Sequence, residues 1–451
     1  MNWPESRKWM NIALMSLLTI ISTKGSSMFA PGVPVILVEM NNNSSLVATF
    51  LVSIYFLGYA FGPLIVAPLS ELYGRVYVYH VGNVTFTLFS IGAALSKNVS
   101  MLMAFRFLMG TVGSVPTTIG VGSIVDVMPA EKRGRALSFW TLGPLLGPCI
   151  GPVVGGYLIE AVGWRWVYWL LAIMGGTLGI LAFLVMRETY APVLLERKAQ
   201  RLRKATGNNE FRTAAGNVDG NKRIKQAISR PLKFLLATPI VSIIAFYVGI
   251  SYGIFYLLIA TFSFVYNTQY NFSQSAAGLS FLPAGLGMMV GSLAFGPLQD
   301  YLVLRAKARV GPEEKYRSEE RLTPWLTVPL GLALPFGLLL YGWTTFYQVH
   351  WIVPMAGVAI FSCALIGITM TLQSYQMDAY TKHIASGSAA VALFRSLIGS
   401  LMPLGGLKMY DALGLGWGNT LLAFISLFLV LVPTVLYLWG QRLRRRFDPA
   451  I

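Results

Sequence analysis

Ile425-Ser426-Leu427-Phe428-Leu429-Val430-Leu431-Val432-Pro433-Thr434-Val435-Leu436-Tyr437-Leu438-Trp439 runs on without a charge. A membrane strand alternates polar and apolar residues with a period of two. This stretch does not alternate, so a barrel is excluded and a helix remains. In hydrocarbon a helix satisfies its own backbone within one segment, which an open strand cannot do. Roughly 20 mostly apolar residues cross a core about 30 Å thick. The quoted stretch lies inside one such span, 416–440. Working back along the chain, further spans fall at 386–408, 350–374, 324–345, 276–298, 238–264, 164–186, 135–158, 101–126, 79–96, 47–68 and 10–30. The fold class this predicts is an all-α integral membrane protein with twelve transmembrane helices.

Composition agrees. Of 451 residues, 55% are hydrophobic and 12% charged, against about 25% charged in a soluble domain. The net charge of +17 could signal nucleic acid, but its distribution gives a better account. With a cytosolic N-terminus, all but six of the 35 Lys and Arg lie in the tails and the loops on the cytosolic side. Lys97, Arg165 and Lys408 lie opposite, and Lys24, Arg106 and Arg395 lie within spans. This asymmetry predicts cytosolic termini and a lipid bilayer, not nucleic acid, as the partner. Glycosylation sequons at Asn42, Asn43, Asn98 and Asn271 fall in the loops predicted outside, whereas the one at Asn83 falls within span 3 and reads as a chance match. Cys149 and Cys363 sit in spans and read as buried thiols, with no metal, disulfide or cofactor expected. No cleavable signal is visible, and the first apolar stretch reads as span 1.

The chain divides into an N-terminal six-helix bundle (1–186), a basic cytosolic loop (187–233) and a C-terminal six-helix bundle with a short basic cytosolic tail (234–451). The loop, with ERKAQRLRK and NKRIKQ, reads equally as a basic amphipathic helix on an anionic leaflet or as a solvated linker. The halves are pseudo-symmetric: Ala67-Pro68-Leu69-Ser70-Glu71-Leu72 ends span 2, and Gly296-Pro297-Leu298-Gln299-Asp300-Tyr301 ends span 8. Two related bundles around a midplane site are a recurring transporter plan.

Span 5 carries the strongest motif. Gly143, Gly147, Gly151 and Gly155 recur every four residues on one helix face, and Pro144, Pro148 and Pro152 interrupt the backbone ladder. A bare glycine face lets another backbone approach closely. Span 8 offers Gly278, Gly285, Gly287 and Gly291, so the expectation is that these faces meet across the bundles as a sliding or sealing surface; simple tight packing stands beside it. Next comes Glu71-Leu72-Tyr73-Gly74-Arg75, a tight turn with an acid and a base. Arg75 could pair with Asp126 at the end of span 4, and Glu71 could cap a neighbouring helix, as a gate or as a static topology signal. Arg106, Lys24 and Arg395 are intramembrane cations and therefore functional candidates. No Asp or Glu lies near the middle of any span, so the central chamber is net positive and would favour an acidic substrate. Phe29, Tyr252, Tyr256 and Gln373 complete the candidate substrate pocket, although such aromatics could equally be core or lipid-facing.

These residues resemble the major facilitator superfamily, and within it the fungal twelve-span drug:proton antiporters. The resemblance rests on Pro68-Leu69-Ser70-Glu71-Leu72-Tyr73-Gly74-Arg75, on Arg106 with Gly110 and Gly113, and on Gly147-Pro148 through Gly155-Gly156. Asp378-Ala379-Tyr380-Thr381, Arg395-Ser396, Pro403-Leu404 and Leu413-Gly414 with Trp417 extend it over nearly the whole chain. It implies an alternating-access monomer in the plasma membrane that exports drugs, toxins or secondary metabolites against protons, with Arg106 linked to proton coupling. Val76 and Tyr77 depart from the family's second basic residue, and Lys24 is unusual in span 1. An importer of an organic acid or other nutrient is the alternative on the same fold. An enzyme is not expected: His80, His350 and His383 are far apart and near span ends, and no nucleophile motif lies within a span.

Overall fold

The computed structural model describes residues 3–207, 229, 231–309, 317–380 and 384–446. Among the described residues there is no strand. The first crossing is broken: α1 (Glu5–Ser27) passes through a 3-10 turn at Ala30–Gly32 into α2 (Val33–Glu39). Then follow α3 (Ser45–Tyr73), α4 (Arg75–Ala94), α5 (Val99–Gly113) continued by α6 (Val115–Val127), α7 (Ala130–Val162), α8 (Arg165–Val185) and the basic helix α9 (Ala191–Thr206). The second half contains α10 (Pro239–Tyr270), the short α11 (Gln274–Leu279) leading into α12 (Leu282–Arg309), α13 (Pro324–Phe346), α14 (Ile352–Ala379), α15 (Ile384–Leu401), α16 (Gly406–Leu429) and α17 (Leu431–Arg446).

Among the described residues, ten stretches are long and apolar enough to cross a membrane. The last, Gly387–Arg444, is 58 residues, which as one helix would be about 87 Å long, far more than a bilayer core needs. It breaks at Gly414, whose φ of 75° and ψ of 167° are open to glycine. The chain doubles back there: the Tyr410 hydroxyl donates to Asn419 Oδ1 at 3.2 Å, a contact that a straight helix would separate by about 13 Å of rise. That stretch is thus two crossings. The 20-residue α4, which carries Arg75, His80 and Asn83, supplies the twelfth.

The helices pack as two groups. In the first, α1 lies on α7, α3 on α5 and α4 on α8; in the second, α12 lies on α14, α13 on α14 and α16, and α10 on α15. Between the groups, α7 meets α11 and α12, and α3 meets α15. Asn42, Asn98 and Asn271 mark one end of the molecule, the sequon end. There Glu39 accepts from Trp164 Nε1 at 2.7 Å and from Arg165 at 2.5 Å, while Arg165 reaches the Ser96 carbonyl at 3.4 Å. These bonds tie three loops together. The opposite, tail end carries Arg75, Asp126 and the basic helix.

Candidate functional site

Arg106 lies wholly inside the first bundle. Its Nε donates to the Leu51 carbonyl at 2.6 Å, one terminal nitrogen to the carbonyls of Ser26 at 3.2 Å and Val52 at 3.4 Å, and the other to the Tyr168 hydroxyl at 3.3 Å. Its guanidinium stacks 3.5 Å above the Phe29 ring. A guanidinium offers five N–H donors, and here most of them find oxygen without any carboxylate. Close backbone approach makes this possible. A Cβ at Gly58 would run into the Phe107 carbonyl, and one at Gly110 into the Tyr55 carbonyl, so α3 and α5 nearly touch beside the arginine. Phe29, expected to line the substrate pocket, is instead buried as the floor beneath Arg106.

The glycine face of α7 does not meet the second bundle. Gly143 faces Ser16 and Thr19, Gly147 faces Thr23, Gly151 faces Ser27 and Gly155 faces the Met28 carbonyl, all on the first crossing. Thr23 Oγ1 donates to the Gly143 carbonyl at 3.1 Å, and Ser27 Oγ to that of Pro148 at 3.1 Å. The prolines remove donors further along the helix, and hydroxyls of α1 use the carbonyls exposed on that face. The opposite face makes the cross-bundle seam: Cys149 lies against Gly285, Pro152 against Gly278, and Gly156 against Gln274 and Ser275. Gly287 and Gly291 turn away towards Ala359 and Cys363 of α14. The four-residue spacing thus identified a close-packing face but not its partner.

The bundles also meet near mid-membrane. Phe56 of α3 stacks on Tyr256 of α10 with ring centroids 4.0 Å apart. Tyr252 lies beneath Arg395, whose guanidinium carbon is 5.0 Å from the ring centre. Tyr256 packs beside Tyr252, with ring centroids 6.0 Å apart. Lys24 is half-buried on α1, and Gln373 is half-buried on α14 without a hydrogen bond to Arg395. No ion pair among the described residues includes Lys24, Arg106 or Arg395. The hydrogen bonds joining the bundles among the described residues lie nearer the sequon end: Ser263 Oγ to the Ala30 carbonyl at 3.2 Å, and Ser275 N–H to Glu160 at 3.0 Å.

At the tail end Arg75 pairs with Asp126 at 3.3 Å and donates to Ser70 Oγ at 2.7 Å. Glu71 is exposed, and the cap expected of it comes from Glu188 instead. That carboxylate accepts from the Arg75 N–H at 2.9 Å and the Val76 N–H at 3.3 Å, at the start of α4, where a negative charge is favoured. Gly74 adopts φ 102°, and a Cβ there would strike the Glu188 carboxylate. The second bundle repeats the latch: Arg321 pairs with Asp378 at 2.5 Å. Buried Glu319 meets Arg444 at 3.1 Å. Glu188, Arg321 and Glu319 were missed in the sequence because their loops carry many like charges. The small-Pro-Leu-polar-acid repeat was the available signal for Arg321.

A family model described as Major Facilitator Superfamily matches residues 15–403. The chain belongs to the Major Facilitator Superfamily. It is 47% identical to the MFS-type transporter tndD of Aspergillus flavipes over 453 residues, covering 100% of this chain and 84% of that one. It is 44% identical to the efflux pump radE of Floropilus chiversii, covering 98% and 82%. Among solved structures, the xylose transporter XylE from E. coli in a partially occluded inward open conformation aligns with a TM-score of 0.68 at 15% identity over 96% of this chain and 97% of that one. A bacterial homolog of the human lysosomal transporter Spinster aligns at 0.64 and 15% over 98% and 99%. As a superfamily member the chain is a multi-pass membrane transporter and not an enzyme, related to fungal efflux proteins. Asn43, Asn98 and Asn271 are exposed and Asn42 half-exposed at the sequon end. Asn83 donates instead to the Gly175 carbonyl at 2.8 Å inside the first bundle.

Proposed function

We propose that this transporter exports a small organic molecule of the drug, toxin or secondary-metabolite class from the cytosol, by alternating access coupled to proton entry. The observation that carries the reading is Arg395, a mid-membrane cation over the Tyr252 ring, whose neighbour Tyr256 stacks on Phe56 of the other bundle. A site shared between two bundles changes its access when they rock, which is how a midplane site serves both sides. The efflux names of the relatives support the direction. In this proposal the sequon end faces outward, both termini are cytosolic, and the protein works as a monomer in the plasma membrane rather than the vacuolar membrane. The units are 1–186 and 234–451, joined by the basic loop 187–233. Much of that loop, including NKRIKQ, lies outside the described residues, as does His383.

Arg106 serves as the positioning element for proton coupling. Gly147, Pro148, Gly151 and Gly155 hold α1 and α7 together as one rocking unit, and Gly74, Arg75, Asp126 and Glu188 belong to the tail-end gate. Everted plasma-membrane vesicles from cells expressing the protein test the reading. Cargo should accumulate when a proton gradient is imposed, and collapse of the gradient with an ionophore should end the accumulation. Accumulation in intact cells instead of vesicles would establish the importer reading, and undiminished vesicle uptake after the ionophore would remove the protons.

A further inference from the structure

We infer that the mid-membrane site is built for a planar aromatic acid, whose anionic group takes Arg395 and whose ring enters between Phe56 and Tyr256. The inference deepens the transport reading and rests on it for the route the acid takes, but not for its binding.

The two intramembrane arginines make the argument by contrast. Arg106 has spent its donors on backbone carbonyls and a tyrosine hydroxyl. It needs nothing from outside the protein. Arg395 Nε is sealed from solvent and has no hydrogen-bond acceptor among the described residues, while the residue as a whole is only partly buried. A buried charged donor without an acceptor is costly, and no carboxylate lies within ion-pair distance among the described residues. Its nearest ring is the phenol of Tyr252, a neutral group that cannot balance the charge. The missing partner is therefore an anion supplied by the cargo, and a guanidinium favours a planar carboxylate that it can hold with two parallel bonds.

The ring follows from the walls. Tyr252, Tyr256 and Phe56 form a continuous aromatic surface, with Tyr252 and Tyr256 centroids 6.0 Å apart. The Phe56–Tyr256 stack is the aromatic contact that joins the two bundles among the described residues. When the bundles part, this stack must open, and a planar ring replaces what each face loses.

The test is binding to the detergent-solubilised full chain, read by tryptophan fluorescence and thermal shift, with 2-naphthoate, its neutral methyl ester and the aliphatic acid octanoate. The acid should bind about tenfold or more tightly than the ester. Arg395→Gln should bring the two together, and Arg395→Lys should restore part of the difference. Phe56→Ala should weaken acid and ester alike and leave their ratio unchanged, because it removes a ring contact and no charge. Equal binding of acid and ester by the unaltered protein overturns the proposal, and that comparison needs no variant to fold. Octanoate binding as tightly as naphthoate overturns the ring. If naphthoate binds as stated but no vesicle transport is found, the transport reading falls and the anion site stands. If transport persists at full rate in Arg395→Gln, the anion site falls and transport stands.

Discussion

At the scale of single residues, Arg106 and the α7 glycines separate what a side chain is from what it touches. An arginine in a hydrocarbon-spanning helix announces itself in any sequence, because its burial is expensive. That its partners are carbonyls of Leu51, Val52 and Ser26 could not be read, since carbonyls carry no residue identity. Replacing Arg106 with Ala should abolish vesicle transport at unchanged surface expression. Arg106→Lys should fail nearly as completely, because a lysine has three donors on one atom and cannot reach acceptors on α1, α3 and α8 in a fork. Normal flux in either variant would take Arg106 out of the mechanism. Gly155→Ala should destabilise by about 1–3 kcal/mol through overpacking, since its Cβ would be driven into the Met28 carbonyl. The control is Gly296→Ala, where nothing lies within 4 Å. It should be neutral or stabilise by about 0.5–1 kcal/mol, the ordinary helix preference for Ala. Thermal unfolding in detergent checks both, and equal effects would refute the packing account.

At the scale of elements, the turn between α3 and α4 was legible in outline. A glycine between an acid and a base marks a tight connection, and Arg75 with Asp126 follows from their shared end of the bundle. The capping acid was misassigned because Glu71 is near in sequence and Glu188 near in space. Reversing Arg75 or Asp126 singly should cut transport several-fold, and the double exchange should recover part of the loss, as coupled neighbours do. A double variant no better than the singles would rule out the pair as a working contact. Glu188→Gln keeps one of the two acceptor oxygens at the start of α4 and removes the charge, so it should lower transport less than Glu188→Ala. The break in the first crossing was overlooked: 10–30 captures its apolar part, whereas Pro31, Gly32 and Pro34 mark the turn at Ala30–Gly32 before the continuation to Glu39.

At the scale of the whole molecule, two bundles touch through the far face of α7, through α3 on α15 and through the Phe56–Tyr256 stack. If they rock, the sequon-end seam has to separate. Cysteines at Glu160 and Ser275, cross-linked by an oxidant or a short bifunctional maleimide, should stop turnover, and for the disulfide a reductant should restore it. Full transport by the locked protein would end the rocking account.

The sequence by itself determined the membrane class, the number of crossings, the arrangement of positive charge and the set of intramembrane cations. Each of these follows from a property carried along the chain and judged against solvent or lipid: hydropathy over a window, charge by loop, small residues by spacing. The tertiary structure alone decided that the α7 glycines face α1, that Phe29 supports Arg106, that Glu188 caps α4, and that Arg395 is left with an orphan donor between two bundles. These depend on how each helix is rotated about its own axis and which neighbour it meets. Periodicity defines a face, but only the fit of two surfaces selects its partner.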